Sequence, residues 1–150
     1  GEAALALIPQ VTKVRLGVTV AIFDASDRLL LEKRRDCGLW GFVGGRVDPG
    51  ESVAEAARRE AHEETGLTIE LGQVVGVYSR PSDHIAVYPD AIVQVAEVLV
   101  KAKIVGGTLQ CSDESEALEF FELVQIPSEL VPPVGRMISD LAAGRSGILD

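Results

Sequence analysis

The sequence predicts an α/β domain in which a mixed β-sheet lies between helices. Short runs of β-branched and other apolar residues dominate the front and the middle of the chain, and they have the length of strands. Two further segments carry helix signals at their ends. Because a sheet and a helix each bury an apolar face, we expect the two helices to cover the sheet.

Several runs are predicted to be strands. The first two, residues 15–23 and 28–32, are separated by the turn sequence DASD and are predicted to form a hairpin. Gly106-Gly107 predicts a further hairpin turn, and the glycine-rich residues 38–50 are predicted to be loop and turn. The later predicted strands cover residues 67–77, 91–101 and 118–123.

Residues 52–65 form the clearest predicted helix. Ser52 and Glu55 have the spacing of a capping box, and Gly66 stands where a helix C-cap belongs. A second helix is predicted over residues 133–143 and ends at Gly144. We expect one domain over residues 1–150.

Composition excludes several classes of protein. The chain has 150 residues, of which 47% are apolar, and 23 acidic against 14 basic side chains give a net charge of -9. This balance disfavours a nucleic-acid or anionic-membrane surface. The apolar residues 3–8 are too few to span a membrane. Cys37 and Cys111 lack metal-type spacing, which predicts free thiols in a reducing cytoplasm. The sequence leaves open whether the protein forms a homodimer.

Three carboxylates crowd one face of the predicted first helix. Glu60, Glu63 and Glu64 are separated by three and four residues, so they are neighbours on the helix surface. His62 is predicted to be exposed beside them. A bound divalent cation would relieve the repulsion, because Mg²⁺ and Mn²⁺ prefer oxygen ligands. Taken alone, the triplet is more typical of a solvated acidic face.

The residues around this triplet resemble the signature of the Nudix hydrolase family, in its MutT-like form. Glu51 follows Gly45 after five intervening residues, and seven more precede the segment 59–67, which reads REAHEETGL. Every polar and glycine position that the signature specifies is occupied. The resemblance extends over residues 15–141.

The resemblance implies a Nudix fold, an α/β/α sandwich with a mixed sheet and a loop-helix-loop box that holds metal. It also implies Mg²⁺- or Mn²⁺-dependent hydrolysis of the pyrophosphate linkage of a nucleoside diphosphate joined to another moiety. Arg59 then orients the carboxylates, and Gly44 and Gly45 admit the substrate phosphates. Carried over by position, the metal ligands are Glu60, Glu63 and Glu64, and Glu51 at the helix entrance is either a further ligand or a carboxylate that supports the ligands.

Outside the box, two carboxylates are candidates for the site. Glu114 lies in an acidic segment that resembles the loop supplying a further ligand or base in this family, with Glu116 a weaker candidate and a solvated loop the alternative. Glu97 interrupts an apolar strand face, either toward the site or at a polar rim. The general base is thus one of Glu63, Glu64, Glu97 and Glu114.

Other polar and aromatic residues have two interpretations each. Arg34 and Arg35 end a predicted strand and could bind substrate phosphate or protect a strand edge. His84 and Tyr88 could hold a base or ribose, or belong to a surface loop. Trp40 is predicted to anchor the core under the glycine-rich segment.

The predicted function is a metal-dependent hydrolase of a nucleotide substrate. A nucleoside triphosphate, a nucleotide sugar or ADP-ribose remains open, because the loops outside the box choose the attached group. The rival hypothesis is a catalytically silent Nudix module that binds a nucleotide and reports it to a partner. A purely structural domain does not explain why the glycines and Arg59 fall in register with the carboxylates.

Overall fold

The structure, a computed structural model, describes residues 2–150. Its helices are α1 (Glu2–Ala6), α2 (Val53–Thr65) and α3 (Val134–Ala142), with a 3₁₀ turn at Ile8–Gln10. Its strands are β1 (Lys13–Phe23), β2 (Leu29–Arg34), β3 (Trp40–Gly41), β4 (Val43–Arg46), β5 (Leu67–Tyr78), β6 (Ile85–Val87), β7 (Ile92–Gly107), β8 (Ser115–Phe121) and β9 (Ile148–Leu149). None of these helices is long and apolar enough to cross a membrane.

The strands form one mixed sheet around β1. β1 runs parallel to β7 over its whole length and antiparallel to β4 and to the start of β2. The main path through the sheet is β3-β2-β1-β7-β5-β9, and β8 pairs with β2. The parallel and antiparallel pairs confirm the predicted mixed sheet.

Each face of the sheet is covered by one long helix. Ala56, Ala57 and Ala61 of α2 pack on one face, against Val20 and Leu30 among others. Val134, Met137, Ile138 and Leu141 of α3 pack on the opposite face. Small alanine side chains let the α2 backbone lie close to the sheet. The predicted sandwich is confirmed, and residues alternate between an α2 face and an α3 face along each strand.

The ends of α2 follow the predicted capping chemistry. The Ser52 hydroxyl accepts from the Glu55 backbone N–H at 3.0 Å, and the Glu55 carboxylate accepts from the Ser52 N–H at 3.3 Å. Caps of this kind contribute about 1 kcal/mol. Gly66 ends the helix with a φ of 74°, in the left-handed region that glycine adopts without strain. These caps fix where α2 begins and ends, and therefore where its carboxylates lie relative to the sheet.

Two predictions about loops are wrong. Residues 38–50 contain the short strands β3 and β4, because their backbones pair with β2 and β1. Gly106-Gly107 makes no hairpin: β7 continues through Gly107, and the chain then passes to β8, which pairs with β2. A Cβ on Gly107 would lie 2.3 Å from the Gly66 carbonyl oxygen, so this glycine permits close backbone approach instead. The short elements α1, β6 and β9 were also missed.

Candidate active site

The backbone of β4 lies directly against the carboxylates of α2. The Gly44 N–H donates to Glu64 Oε2 at 3.0 Å. A Cβ on Gly45 would lie 2.5 Å from Glu60 Oε1, so the missing side chain is the space that the Glu60 carboxylate occupies. A Cβ on Gly44 would lie 2.2 Å from the Val18 carbonyl oxygen of β1. Gly44 is therefore required by close packing of two backbones, and Gly45 leaves the space that the Glu60 carboxylate occupies.

Arg59 links the carboxylates of the site to the turn before α2. Its guanidinium donates to both oxygens of Glu51, at 2.6 and 2.9 Å. It also donates to Glu60 Oε1 at 2.9 Å, to Glu63 Oε2 at 3.1 Å and to the Arg46 carbonyl oxygen at 3.0 Å. A planar fork with several donors is suited to such multiple contacts. The structure thus places Arg59 where an orienting residue is expected.

Glu51 is bound to the protein through both carboxylate oxygens. Besides the Arg59 contacts, Glu51 Oε1 accepts from the Asp48 N–H at 2.9 Å. The hydrogen bonds from Arg59 lower the pKa of Glu51 to about 2. Glu51 is therefore a charged partner that holds Arg59, and the role predicted for it as a metal ligand is less well supported than that of Glu60 or Glu64.

Glu64 and Glu32 form a buried pair of carboxyl groups. Glu64 is 7% exposed and Glu32, on β2, is 6% exposed. Burial, followed by the charges of Glu32 and Glu60, raises the pKa of Glu64 to about 10, and burial also raises the pKa of Glu32. Glu32 is not among the site residues predicted from the sequence. The available signal is the alternation of side chains along β2, which puts Glu32 on the same strand face as Leu30, the face that packs toward α2.

A cavity of about 600 Å³, which we name the smaller cavity, opens at this pair and is lined by Glu32, Glu64, Gly44, Gly45, Arg35 and Glu114 among others. Glu114 is exposed, and the guanidinium of Arg35 donates to the carbonyl oxygens of Asp113 and Ser115 on either side of it. Arg35 thus fixes the acidic segment and leaves its role as a phosphate ligand a prediction. Arg34 lines the same cavity and pairs with Asp36 at 2.7 Å.

The donor set fits a hard divalent cation, because it consists of carboxylate oxygens. The Glu64 carboxylate accepts from the Gly44 N–H, and the Glu60 carboxylate occupies the space beside Gly45, so both lie against the backbone of β4. Glu63 is exposed on the same helix. Within residues 2–150, no three acidic, histidine or cysteine side chains already converge on one point, since Arg59 holds Glu60 and Glu63.

A larger cleft of about 920 Å³ lies on the other side of Gly44 and Gly45. Its lining includes Glu97 and His84, which are joined by a 2.8 Å hydrogen bond between Glu97 Oε2 and His84 Nε2. The Thr19 hydroxyl donates to the second oxygen of Glu97. At the mouth, the Arg15 guanidinium lies 4.8 Å from the centroid of the Tyr88 ring. Residues 84 and 88 thus belong to the wall of this cleft.

His84 is held between two carboxylates. Its Nδ1 is 2.8 Å from Asp83 Oδ1, and Arg136 of α3 donates to Asp83 in turn. Burial favours the neutral imidazole, but the hydrogen bonds and charges of Glu97 and Asp83 outweigh it and raise the pKa of His84 above 6.5. An imidazolium that donates through both nitrogens fits this arrangement.

The structure separates several predicted residues from the box. Glu97 shares the α3 face of β7 with Leu99, whereas Glu64 approaches from the α2 face, so Glu97 does not join the box carboxylates. Glu116 is exposed and lies 3.8 Å from Lys33. Trp40 packs edge-on against Phe121, as the predicted core anchor. His62 is exposed, as predicted.

Residues 13–141 match the NUDIX domain, and this range contains β4, α2 and both cavities' main walls. The chain belongs to the Nudix family. The ADP-ribose pyrophosphatase of Streptococcus suis 89-1591 shares the fold of this Nudix chain with a TM-score of 0.68 and 29% identity, over 91% of this chain and 96% of that one.

Curated relatives of this Nudix chain are enzymes that act on nucleotides. A Bacillus subtilis (strain 168) protein, provisionally named 8-oxo-dGTP diphosphatase, is 36% identical over 133 residues, which cover 88% of this chain and 83% of the relative. The ADP-ribose pyrophosphatase of Methanocaldococcus jannaschii is 35% identical over 109 residues, 71% of this chain but only 61% of that enzyme. The predicted family, fold and class of enzyme are confirmed.

Proposed function

We propose that this chain is a divalent-metal-dependent pyrophosphohydrolase that cleaves a nucleotide lying across Gly44 and Gly45. The observation that carries the proposal is the pair of cavities that meet at these glycines. The smaller cavity contains buried carboxylates, and the larger cleft of about 920 Å³ has the size of a small-molecule site. A diphosphate at the glycines would place its nucleoside in the larger cleft and its scissile bond beside Glu64.

Glu60, Glu63 and Glu64 would hold the Mg²⁺ or Mn²⁺ ion. When bound, such an ion neutralises phosphoryl oxygens and makes a water molecule easier to deprotonate. Arg59 keeps the Glu60 carboxylate against Gly45, and the two glycines let the phosphates approach the β4 backbone. These contacts orient the reacting groups before substrate arrives.

Glu114 is the carboxylate that we propose as the general base. It lines the smaller cavity with Glu64, and it forms no ion pair with any side chain of residues 2–150. A base needs a free carboxylate within reach of the attacking water, and Glu64 is buried while Glu63 is engaged by Arg59. Arg34 lines both cavities and would contact the phosphates between them.

The substrate class is a nucleoside diphosphate derivative. The names of the relatives include an oxidised deoxynucleoside triphosphate and ADP-ribose, which share a diphosphate attached to a nucleoside. The larger cleft offers a carboxylate acceptor at Glu97 and an Arg15–Tyr88 stack, which suit a polar planar base. Cys37 and Cys111 are both free and exposed, in keeping with the reducing cytoplasm that we propose as the site of action.

Purified protein should release a nucleoside monophosphate from at least one member of a panel of nucleoside triphosphates, nucleotide sugars and ADP-ribose in Mg²⁺ or Mn²⁺. Chromatography of the products measures this directly. Glu64→Gln should lower turnover at least about 100-fold, since it replaces a proposed ligand of the ion that neutralises the reacting phosphate. Glu119→Gln is the matched control, because Glu119 is exposed on β8 and lines neither cavity.

Full turnover in excess chelator, or an unimpaired Glu64→Gln variant, would contradict the proposed mechanism. The rival silent module predicts a different pattern: nucleotide binding by calorimetry without any product. The intact set of Glu51, Arg59, Glu60, Glu63 and Glu64, with its geometry, favours the enzyme.

A further inference from the structure

The carboxyl group of Glu32 is a buried acid without a cationic partner. Glu32 is 6% exposed, and its Oε2 atom has no hydrogen-bond partner among residues 2–150. Ser115 Oγ, on the paired strand β8, is a second buried oxygen without a partner. Buried polar atoms in folded proteins are nearly always satisfied, so a group that is missing from the protein itself is expected here.

Glu32 is placed opposite the box carboxylates. It projects from β2 on the α2 face of the sheet and lines the smaller cavity together with Glu64. Glu64 accepts a hydrogen bond from the Gly44 N–H, and the carboxyl groups of Glu32 and Glu64 are joined by a hydrogen bond. No ion pair joins either carboxyl group to a cation among residues 2–150. Two acids from different elements therefore face one cavity, and the two arginines of its lining, Arg34 and Arg35, are engaged by Asp36 and by the Asp113 carbonyl oxygen instead.

We propose that Glu32 is a further ligand, contributed by β2, of the divalent cation that Glu64 holds. The proposal rests on the proposed function, since it assumes that the box carboxylates bind metal. Helix α2 supplies carboxylates from one side only, and an octahedral ion also needs oxygen donors from another direction. Glu32 would supply one such donor from the sheet.

The metal itself is the probe that tests this. Mn²⁺ binding, measured from the electron paramagnetic resonance signal of free Mn²⁺, should weaken about 10- to 100-fold in Glu32→Gln relative to the unsubstituted protein. Glu119→Gln removes the same charge from an exposed position of β8 and should bind Mn²⁺ normally. Melting temperatures in chelator give a second readout, because glutamine removes a buried acid without changing the shape of the side chain.

In chelator, Glu32→Gln should melt at or above the temperature of the unsubstituted protein. Added Mn²⁺ should raise its melting temperature less, since the stabilisation by a given concentration of ligand falls as the affinity falls. If Glu32→Gln fails to fold, Glu32→Asp keeps the charge but withdraws the carboxylate, and it too should bind Mn²⁺ more weakly.

Unchanged Mn²⁺ affinity in a folded Glu32 variant, with affinity lost in Glu64→Gln, would overturn the role of Glu32 and leave the proposed function standing. Glu32 and Glu64 would then simply share a proton. An unsubstituted protein that binds no Mn²⁺ at millimolar concentration would overturn the proposed function and this inference together.

Discussion

Two adjacent glycines of β4 face different neighbours, and this difference decides what an added methyl group would do. At Gly45 the nearest atoms belong to the Glu60 carboxylate, the far end of a flexible side chain, whereas at Gly44 the nearest atom is the Val18 carbonyl oxygen of the backbone. A flexible side chain can move away at little cost, but a paired strand cannot. Gly44 is therefore a requirement of the fold, and Gly45 is a requirement of the site.

We expect Gly45→Ala to fold with nearly normal stability but to bind Mn²⁺ and turn over at least about 10-fold worse, because Glu60 is displaced. Gly44→Ala should lower the free energy of unfolding by about 1–3 kcal/mol. Urea denaturation and Mn²⁺ titration separate the two effects. Gly72→Ala is the control, since its Cβ would meet nothing closer than 3.5 Å. Equal losses of stability in both β4 variants would contradict the distinction.

At the scale of elements, Arg59 joins α2 to the turn that precedes it. One guanidinium contacts Glu51 and the Arg46 carbonyl in the turn, and Glu60 and Glu63 on the helix. Lysine keeps the charge but has no planar fork, so it cannot satisfy these acceptors together. The orientation of the helix carboxylates relative to β4 therefore depends on the shape of this side chain as well as on its charge.

Arg59→Lys should lower turnover about 10- to 100-fold while Mn²⁺ still binds, because the ligands remain but their orientation is lost. Steady-state kinetics and Mn²⁺ titration on the same preparation measure the two quantities. Arg58→Lys is the matched control: Arg58 is the adjacent residue of α2 and is exposed. A fully active Arg59→Lys enzyme would show that charge alone suffices.

Sequence patterns predicted the elements whose signals are local. The Ser52–Glu55 capping box, Gly66 and the carboxylate spacing all lie within one segment, and the structure places them as expected. β3, β4 and β6 could not be predicted in this way, because strands of two to four residues exist only through pairing with distant strands. Glu32 was missed, and the pairing of His84 with Glu97 was not predicted, for the same reason: the partner residues lie far along the chain or on another element.

Across the whole molecule, a chain of polar contacts joins the C-terminal residue to the larger cleft. Asp150 accepts from Arg136, Arg136 donates to Asp83, and His84 bridges Asp83 and Glu97. Glu97 finally accepts from Thr19 of β1. The contacts link β9, α3, the segment before β6, β7 and β1, so one buried imidazolium connects elements from both ends of the sequence.

This arrangement predicts how stability varies with pH. The pKa of His84 is raised in the folded protein, so its contribution is fully present below 6.5, the unfolded value, and is lost as the pH rises through the folded value. Denaturant midpoints measured in chelator should fall over that range. The fall should be smaller in His84→Gln and unchanged in His62→Gln, whose exposed side chain controls for the loss of a histidine. If the denaturant midpoint changed with pH in the same way in all three proteins, the attribution of the fall to His84 would be wrong.

The proposed division of the active site between two cavities has a consequence for how such an enzyme can diversify. The two cavities share only the lining residues Arg34, Asp36, Phe42, Gly44 and Gly45. Mutations in β6, β7 or the entry to α3 can therefore reshape the nucleoside end while the carboxylates on the α2 face keep their positions. Selection for a new nucleoside and selection for turnover would then act on nearly separate sets of codons, so a lineage could exchange one substrate for another without passing through an inactive ancestor.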